Sequence, residues 1–169
     1  MNVVLIGFMG AGKTTVGRMV AGRMGYAFVD MDEEIERAAG LSVDTIFERH
    51  GEADFRGMEA ELTARLAAGD RQVVSCGGGW ALNPGNVAAM VASSRLVYLR
   101  ASQESILKRT GGGSRPLLNV GDRAERVAGL LRARTPVYTS VADLVVDTDE
   151  LTPEQVSERI LEEAATWAA

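Results

Sequence analysis

Residues 7–14 read GFMGAGKT, which matches the phosphate-binding pattern G-x-x-x-x-G-K-[ST]. The apolar run 3–6 precedes this P-loop, and the helix-permissive run 15–24 follows it. A strand, a glycine loop and a helix N-terminus together present backbone N–H groups and partial positive charge to a bound phosphate. Lys13 is then placed to reach the β- and γ-phosphates, and the Thr14 hydroxyl to bind Mg²⁺. The pattern predicts a site for ATP and magnesium.

Two carboxylates, Asp30 and Asp32, follow the short apolar run 27–29. Ligands of an open α/β sheet bind beyond the carboxyl ends of its strands, where the P-loop also lies. The carboxylate nearer the P-loop is suited to hold the water shell of Mg²⁺ with Thr14, and the other to accept a proton from an attacking hydroxyl. Alternatively, one of the two caps the following helix, since a helix needs a single N-cap side chain.

Three consecutive glycines, Gly77, Gly78 and Gly79, follow the predicted strand 72–75. They supply backbone N–H groups and leave room for a ligand to approach. A strand-to-helix turn with positive φ would need only one or two glycines, so three favour a ligand-facing loop. No aspartate follows this strand, which argues against motor and AAA-type ATPases and favours a kinase of small molecules.

Two arginines are a further signal in the sequence. Arg56 lies in a predicted helix beside Phe55, where periodicity alone would leave its side chain in solvent. Arg115 lies in the Gly-rich, non-periodic segment 110–120, which predicts a mobile loop. An arginine in such a loop is suited to close over a phosphoryl group during transfer.

Two further residues with reactive side chains are interpreted as structural. Asp147 ends an apolar run in the manner of a second metal-binding aspartate, but that run is predicted to be the last strand, at the sheet edge and far from the P-loop. His50, the only histidine, is predicted to be an exposed residue at a helix end.

The composition excludes several classes of protein. A chain of 169 residues predicts one domain, residues 1–169, and a net charge of −5 argues against a nucleic-acid partner. The only cysteine, Cys76, cannot form an intrachain disulfide, which favours a reducing cytoplasm. No apolar stretch approaches the roughly 18 residues of a membrane span. We expect a cytoplasmic monomer that does not bind membranes.

Apolar runs alternate with helical periods, which predicts an α/β fold with a parallel sheet covered by helices on both faces. The five predicted strands are 3–6, 27–29, 72–75, 96–99 and 143–146. The predicted helix boundaries are marked by Gly25 and Gly40, by the caps Ser42, Asn83 and Ser102, and by the capping box of Thr152 and Gln155.

Taken in order, the motifs resemble the shikimate kinase family over essentially the whole chain. A P-loop alone would indicate only a superfamily, whereas the ordered series is far more specific. The segments of the series are 7–15, 28–32, 35–36, 46–47, 51–59, 77–79, 109–110, 115–118, 134–138 and 146–148.

The resemblance implies a single-domain, three-layer P-loop kinase with a five-stranded parallel sheet, a mobile lid at about 110–120 and substrate-binding helices at about 31–66. It implies Mg²⁺-dependent transfer of the ATP γ-phosphate to the 3-hydroxyl of shikimate. The residues implied to bind ATP are Gly10, Ala11, Gly12, Lys13, Thr14, Thr15, Arg109, Arg115 and Pro153. Those implied to bind shikimate are Asp32, Arg56, Gly77, Gly78, Gly79 and Arg134.

The resemblance also implies the roles of individual residues. Lys13, Asp32 and Arg115 are implied to be catalytic, with Asp32 as the base for the attacking hydroxyl. Thr14 is implied to bind Mg²⁺ directly, and Asp30 to bind it through water.

This chain departs from the family at three points. Trp80 follows the glycines where a small residue is expected, and it either narrows the substrate pocket or turns away from it. Cys76 likewise replaces a small residue and is predicted to be buried. The segment between Arg109 and Arg115 is slightly short and unusually rich in glycine.

Two other functions are weighed against this one. A gluconate kinase is the nearest enzyme, but a planar carboxylate on a rigid ring better suits bidentate contacts from Arg56 and Arg134. A nucleotide-binding regulator without turnover is the alternative from another class. The presence of Lys13, Thr14 and Asp32 together with Arg115 argues against it.

Overall fold

A computed structural model of the protein describes residues 1–111 and 122–167. The described residues contain five strands, all parallel, in one sheet of spatial order β2-β3-β1-β4-β5. The strands are β1 (Asn2–Ile6), β2 (Ala27–Asp30), β3 (Gln72–Ser75), β4 (Ser94–Arg100) and β5 (Leu144–Asp147). The predicted fold class and strand number are confirmed.

The order of the strands brings separate segments of the chain to one edge of the sheet. The central strand β1 pairs with β3 on one side and β4 on the other, with Val4 opposite both Val74 and Leu96. Because neighbouring parallel strands end at the same edge, the P-loop after β1 and the glycines after β3 emerge side by side. Asp30, at the end of β2, pairs with Ser75 and lies at this edge too.

Helices occupy the intervals between the strands. They are α1 (Lys13–Met24), α2 (Met31–Ala39), α3 (Val43–Ala67), α4 (Pro84–Val91), α5 (Gln103–Arg109), α6 (Arg123–Val141) and α7 (Pro153–Trp167), and a short 3₁₀ turn spans Trp80–Leu82. Within α3, Gly51 has φ 84° and ψ 170°, which divides the helix in two. Only glycine adopts this backbone conformation without strain.

Two hydrophobic cores lie on opposite faces of the sheet, because successive side chains of a strand point to opposite sides. Val3 and Leu5 of β1 face the core formed with α1, α5, α7 and the first part of α6. Val4 and Ile6 face the core formed with α2, α3, α4 and the second part of α6. All four are fully buried. The three-layer arrangement predicted from the alternating sequence is therefore present.

The side chains predicted to begin helices do so. Ser42, Asn83 and Ser102 each accept a hydrogen bond from the first turn of the following helix. Thr152 and Gln155 form the reciprocal bonds of a capping box at α7. In α2, the core contacts come from Met31 and Ile35, and Ala38 is exposed.

The predicted lid, 110–120, falls largely on residues 112–121, which lie outside the described part of the chain, as does Arg115. Thr110 and Gly111 are described, and Thr110 is buried. Within the described ranges, no helix has both the length and the apolar character needed to cross a membrane.

Candidate active site

The glycines of the P-loop meet two different steric requirements. A Cβ atom on Gly7 would lie 2.5 Å from the Leu99 carbonyl oxygen, and one on Gly10 would lie 2.6 Å from Cγ2 of Thr110. At Gly12 the surrounding space is open, but φ is +94°. Gly7 and Gly10 also have positive φ, so glycine is needed at the first two positions for both close packing and backbone conformation, and at the third for backbone conformation alone.

The P-loop lines a cavity of about 220 Å³ at the carboxyl edge of the sheet. The lining residues that sequence analysis singled out are Gly10, Gly12, Lys13, Thr14, Thr15, Asp30, Asp32, Gly77 and Gly78. Lys13 is buried, and its Nζ donates to the carbonyl oxygens of Gly7 and Phe8 at 2.9 Å. The side chain of Ala11 packs in the first core, and its N–H donates to Phe8 O at 3.2 Å.

Asp30 combines two roles that the sequence left as alternatives. Its Oδ2 accepts a hydrogen bond of 2.7 Å from the Thr14 hydroxyl. Its Oδ1 accepts bonds from the N–H groups of Asp32 and Glu33 and so caps α2. The carboxylate nearer the P-loop is therefore both the helix cap and the neighbour of Thr14, and Asp32 is left without a capping role.

Asp32 lines the cavity and has one carboxylate oxygen without a partner. Its Oδ1 is buried and has no hydrogen-bond partner among the described residues. Burial raises the pKa of Asp32, and the negative charge of Asp30 raises it further, while Lys13 and Arg56 oppose the shift. A carboxylate of raised pKa facing an open cavity has the properties of a general base.

Arg56 is half-buried rather than solvated as periodicity alone suggested. Its Nη1 donates to Glu59 Oε2 at 2.6 Å, and its Nη2 donates to Glu52 Oε1 at 3.1 Å. A Cβ atom on Gly79 would lie 2.3 Å from Arg56 Nη2, so the guanidinium lies against the glycine loop, residues 77–79. The burial depends on packing of α3 against this loop, which helical periodicity does not reveal.

Glu59 is a buried residue that sequence analysis did not assign to the site. It is 0% exposed, and its Oε1 has no partner among the described residues. Burial raises its pKa, Arg56 opposes the shift, and Asp32 adds to it. The available signal was its position between Phe55 and Leu62 on the apolar stripe of α3, where a carboxylate is out of place.

Arg134 approaches the glycine loop from the opposite side. It lies on α6, is 5% exposed, and its Nη1 has no hydrogen-bond partner among the described residues. A Cβ atom on Gly78 would lie 3.2 Å from this Nη1. Its guanidinium carbon stands 5.7 Å from the ring centre of Phe8, a cation–π contact with the P-loop. One guanidinium donor of Arg134 is therefore left for an acceptor from outside the described protein, such as water or a ligand.

Arg109 contacts the P-loop on the side facing the segment between β5 and α7. Arg109 donates to Gly10 O at 3.4 Å, to Thr148 Oγ1 at 3.2 Å and to Thr148 O at 3.1 Å. Pro153 is exposed and begins α7. Arg109 thus joins the P-loop to the segment between β5 and α7.

The residues interpreted as structural lie where expected. Asp147 ends the edge strand β5 and pairs with Arg100 at 2.5 Å. His50 is exposed next to the break at Gly51. Cys76 is buried, and burial raises the pKa of its thiol well above the ordinary value. Trp80 turns away from the cavity and is 1% exposed within the second core.

Comparisons with known proteins agree with this geometry. The family model described as shikimate kinase matches residues 9–165. A shikimate kinase of Thermodesulfovibrio yellowstonii is 44% identical over 163 residues, which is 96% of this chain and 94% of that protein.

Solved structures give the same result. A shikimate kinase from Acinetobacter baumannii in complex with shikimate aligns with TM-score 0.94 and 36% identity over 98% of this chain and 93% of that one. A gluconokinase from Sinorhizobium meliloti aligns with TM-score 0.56 and 20% identity over 99% of this chain and 97% of that one, which is a likeness of fold alone. The chain belongs to the shikimate kinase family.

Proposed function

We propose that this protein transfers the γ-phosphate of ATP to the 3-hydroxyl of shikimate, giving ADP and 3-phosphoshikimate. The observation that carries the proposal is the convergence of Arg56, Arg134 and Asp32 on the glycine loop. Arg56 lies against Gly79, Arg134 against Gly78, and Asp32 Oδ1 stands 3.2 Å from where a Cβ of Gly77 would be. Two cations and an unpaired carboxylate on one loop suit a ligand that carries both a carboxylate and hydroxyl groups.

The two arginines bind the acceptor's carboxylate. Guanidinium groups match carboxylates in geometry and charge, and their bonds to carboxylates are about twice as strong as neutral ones. The unused Nη1 of Arg134 is the donor best supported for this contact, since it is buried without a partner among the described residues. Arg56 lies against Gly79, with Nη1 held by Glu59 and Nη2 by the exposed Glu52.

Asp32 receives the proton of the attacking hydroxyl. Its unpaired Oδ1 accepts the O–H of the acceptor, which orients the hydroxyl oxygen toward the P-loop cavity. Phosphoryl transfer depends on positioning and on stabilisation of charge rather than on covalent chemistry by the protein. Gly77, Gly78 and Gly79 provide the shallow wall against which the acceptor ring packs.

The nucleotide phosphates bind at the P-loop. Gly10, Gly12, Thr14 and Thr15 border the cavity, and the N-terminus of α1 adds partial positive charge. Lys13 contacts the β- and γ-phosphates, and Arg109 with Pro153 borders the adenine. Arg115 lies outside the described residues, and its role at the transferred phosphate stays a prediction from the sequence.

Mg²⁺ fits the oxygen atoms available beside the P-loop. Thr14 Oγ1 and Asp30 Oδ2 lie 2.7 Å apart, and Mg²⁺ in kinases typically takes one or two protein oxygens with phosphate and water. The described residues contain no group of three or more acidic, histidine or cysteine ligands, so the protein alone does not enclose a metal. When bound, the ion neutralises charge on the phosphates. Thr14 holds it directly and Asp30 through water.

An acceptor-dependent assay of ADP release tests the proposal. Shikimate, gluconate and no acceptor are compared at saturating ATP and Mg²⁺, with Lys13→Ala as the control for contaminating kinases. We expect ADP release with shikimate only, and none above background from Lys13→Ala. Release with gluconate at an equal rate, or equal release without acceptor, would contradict the assignment. A cytoplasmic monomer remains the expectation from sequence.

A further inference from the structure

A hydrogen bond of Trp80 connects the glycine loop to α3. Its indole is 1% exposed, and Nε1 donates a hydrogen bond of 2.8 Å to Thr63 Oγ1. Thr63 in turn donates to the carbonyl oxygen of Glu59 at 2.7 Å. Glu59 holds Arg56 through its side chain, so a chain of hydrogen bonds runs from the residue after Gly79 to the segment of α3 that carries Arg56.

A hydrogen bond of Tyr138 connects the same loop to α6. Its hydroxyl donates to the carbonyl oxygen of Gly78. Tyr138 follows Arg134 by one turn of α6 and is 1% exposed, and burial raises its pKa to about 12. The phenol therefore remains a donor throughout the ordinary pH range.

The loop is in direct contact with both arginines at the same residues. Arg56 lies against Gly79 and Arg134 against Gly78, with no space for a methyl group on Gly79. Because protein interiors are close-packed, a displacement of this loop of a few tenths of an ångström must move at least one guanidinium. The hydrogen bonds of Trp80 and Tyr138 therefore affect the geometry of the anion site, although neither side chain belongs to that site.

We propose that Trp80 and Tyr138 are positioning residues that hold the glycine loop between α3 and α6 and thereby set the separation of Arg56 and Arg134 for the acceptor's carboxylate. The inference rests on the proposed function, because it takes the two arginines as the carboxylate site. It assigns a role to the bulky Trp80, which the family resemblance left unexplained. The buried indole N–H is satisfied by the hydrogen bond that it donates to Thr63.

Thr63 offers a matched pair of variants for the test. Thr63→Val removes the acceptor of the indole N–H with little change in volume, whereas Thr63→Ser keeps the oxygen. We expect Thr63→Val to raise the KM for shikimate about fivefold, the equivalent of one neutral hydrogen bond. The KM for ATP should stay within about twofold of wild type, the ordinary scatter of such measurements. Thr63→Ser should keep the wild-type KM for shikimate.

Two further variants test the same link independently. Trp80→Phe removes the donor, and Trp80→Phe combined with Thr63→Val should raise the shikimate KM no more than the larger single effect, because both remove one bond. Tyr138→Phe removes the hydrogen bond to the Gly78 carbonyl oxygen. It should also raise the KM for shikimate but not the KM for ATP. A structural role alone would lower the melting temperature and leave the ratio of the two KM values unchanged.

Tryptophan emission gives a spectroscopic readout that needs no turnover. The chain has two tryptophans, Trp80 and Trp167, and Trp167 lies at the end of α7 packed against the first core. In Trp167→Phe, emission from Trp80 should change when shikimate is added, and in Trp80→Phe the shikimate-dependent change should vanish. Trp167→Phe should keep wild-type kinetics.

The outcomes separate this inference from the proposed function. Wild-type turnover of shikimate combined with unchanged shikimate KM in Thr63→Val, Trp80→Phe and Tyr138→Phe would overturn the inference alone. Equal rises in the KM for shikimate and for ATP would also overturn it. Absence of shikimate-dependent turnover and of any shikimate-dependent emission change in the wild type would overturn both. A rise in the KM for shikimate but not for ATP in Thr63→Val, absent from Thr63→Ser, supports the positioning role.

Discussion

The carboxylates of Asp32 and Glu59 lie on the same side of Gly77. A Cβ atom on that glycine would stand 3.2 Å from Asp32 Oδ1 and 3.0 Å from Glu59 Oε1. Both oxygens are buried without hydrogen-bond partners among the described residues, and the charge of Asp32 adds to the raised pKa of Glu59. Two buried acceptors without partners among the described residues, beside two arginines, suit a ligand bearing hydroxyl groups and a carboxylate.

Asp32→Asn is expected to abolish turnover while ATP binding survives. The substitution is nearly isosteric, so the fold should hold, but an amide cannot take the proton of the attacking hydroxyl. The loss in kcat should be about 100-fold to 10,000-fold, the usual contribution of a general base. Steady-state kinetics and calorimetric titration with an ATP analogue measure the two quantities. Turnover within a few-fold of wild type would exclude Asp32 as the base.

Arg56→Ala is expected to weaken acceptor binding and leave ATP binding unchanged. Removing one member of a buried, charge-assisted contact costs about 2–5 kcal/mol, and the partial exposure of Arg56 favours the lower part of that range. The shikimate KM should therefore rise about 30-fold to 100-fold. Arg56→Lys keeps the charge but lacks the planar guanidinium fork. Its KM for shikimate should lie between those of the wild type and Arg56→Ala.

The matched control for Arg56 is Arg18→Ala. Arg18 is exposed and pairs with Glu33 on the surface at 3.0 Å. This change should leave the KM for shikimate unaltered. Equal effects from Arg18→Ala and Arg56→Ala would return Arg56 to the role of an ordinary surface arginine.

Glu59→Gln is expected to change the pH dependence of stability. Burial raises the pKa of Glu59 in the folded protein, so the folded state keeps this proton to higher pH than the unfolded state does. The contribution of Glu59 therefore favours folding at low pH and opposes it as pH rises through its raised pKa. Relative to wild type, Glu59→Gln should gain stability as pH rises above about 4.3, the ordinary glutamate pKa.

Urea unfolding of the ligand-free protein at a series of pH values measures this difference. The control is Glu104→Gln on α5, an exposed glutamate in the first turn of a helix remote from the glycine loop. A stability difference between wild type and Glu59→Gln that stays constant across the pH series would contradict the raised pKa.

Asp147→Asn should leave kcat and both KM values unchanged. Its carboxylate pairs with Arg100 on the surface, and Arg100 holds the pKa of Asp147 below its usual value. Exposed ion pairs contribute at most about 1 kcal/mol, so the free energy of unfolding should fall by no more than that. A large loss of turnover on substitution would show that Asp147 binds the metal.

The sequence specified the parts of the site that depend on local structure. The P-loop, the aspartates after β2, the glycine loop and the capping box of Thr152 all reflect short-range backbone requirements, which residue type and spacing reveal directly. The structure added the dual use of Asp30, because one carboxylate oxygen caps α2 while the other meets Thr14.

Long-range packing decided the features that sequence patterns missed. Arg56 reads as solvent-exposed by periodicity, but the glycine loop covers it. Glu59 is buried by the same packing, and the direction of Trp80 depends on Thr63, 17 residues away in the chain. Helical spacing identifies the apolar stripe of α3, but it does not identify the loop that packs beside that stripe.

The central claim is that shikimate accepts the phosphoryl group on its 3-hydroxyl. Phosphorus NMR of a complete reaction with ATP, Mg²⁺ and shikimate tests it most directly, because coupling to the ring proton identifies the esterified carbon. We predict one new phosphomonoester, coupled to the proton on carbon 3, in amounts equal to the ADP formed. ADP accompanied only by inorganic phosphate, or a phosphate on another shikimate oxygen, would contradict the account.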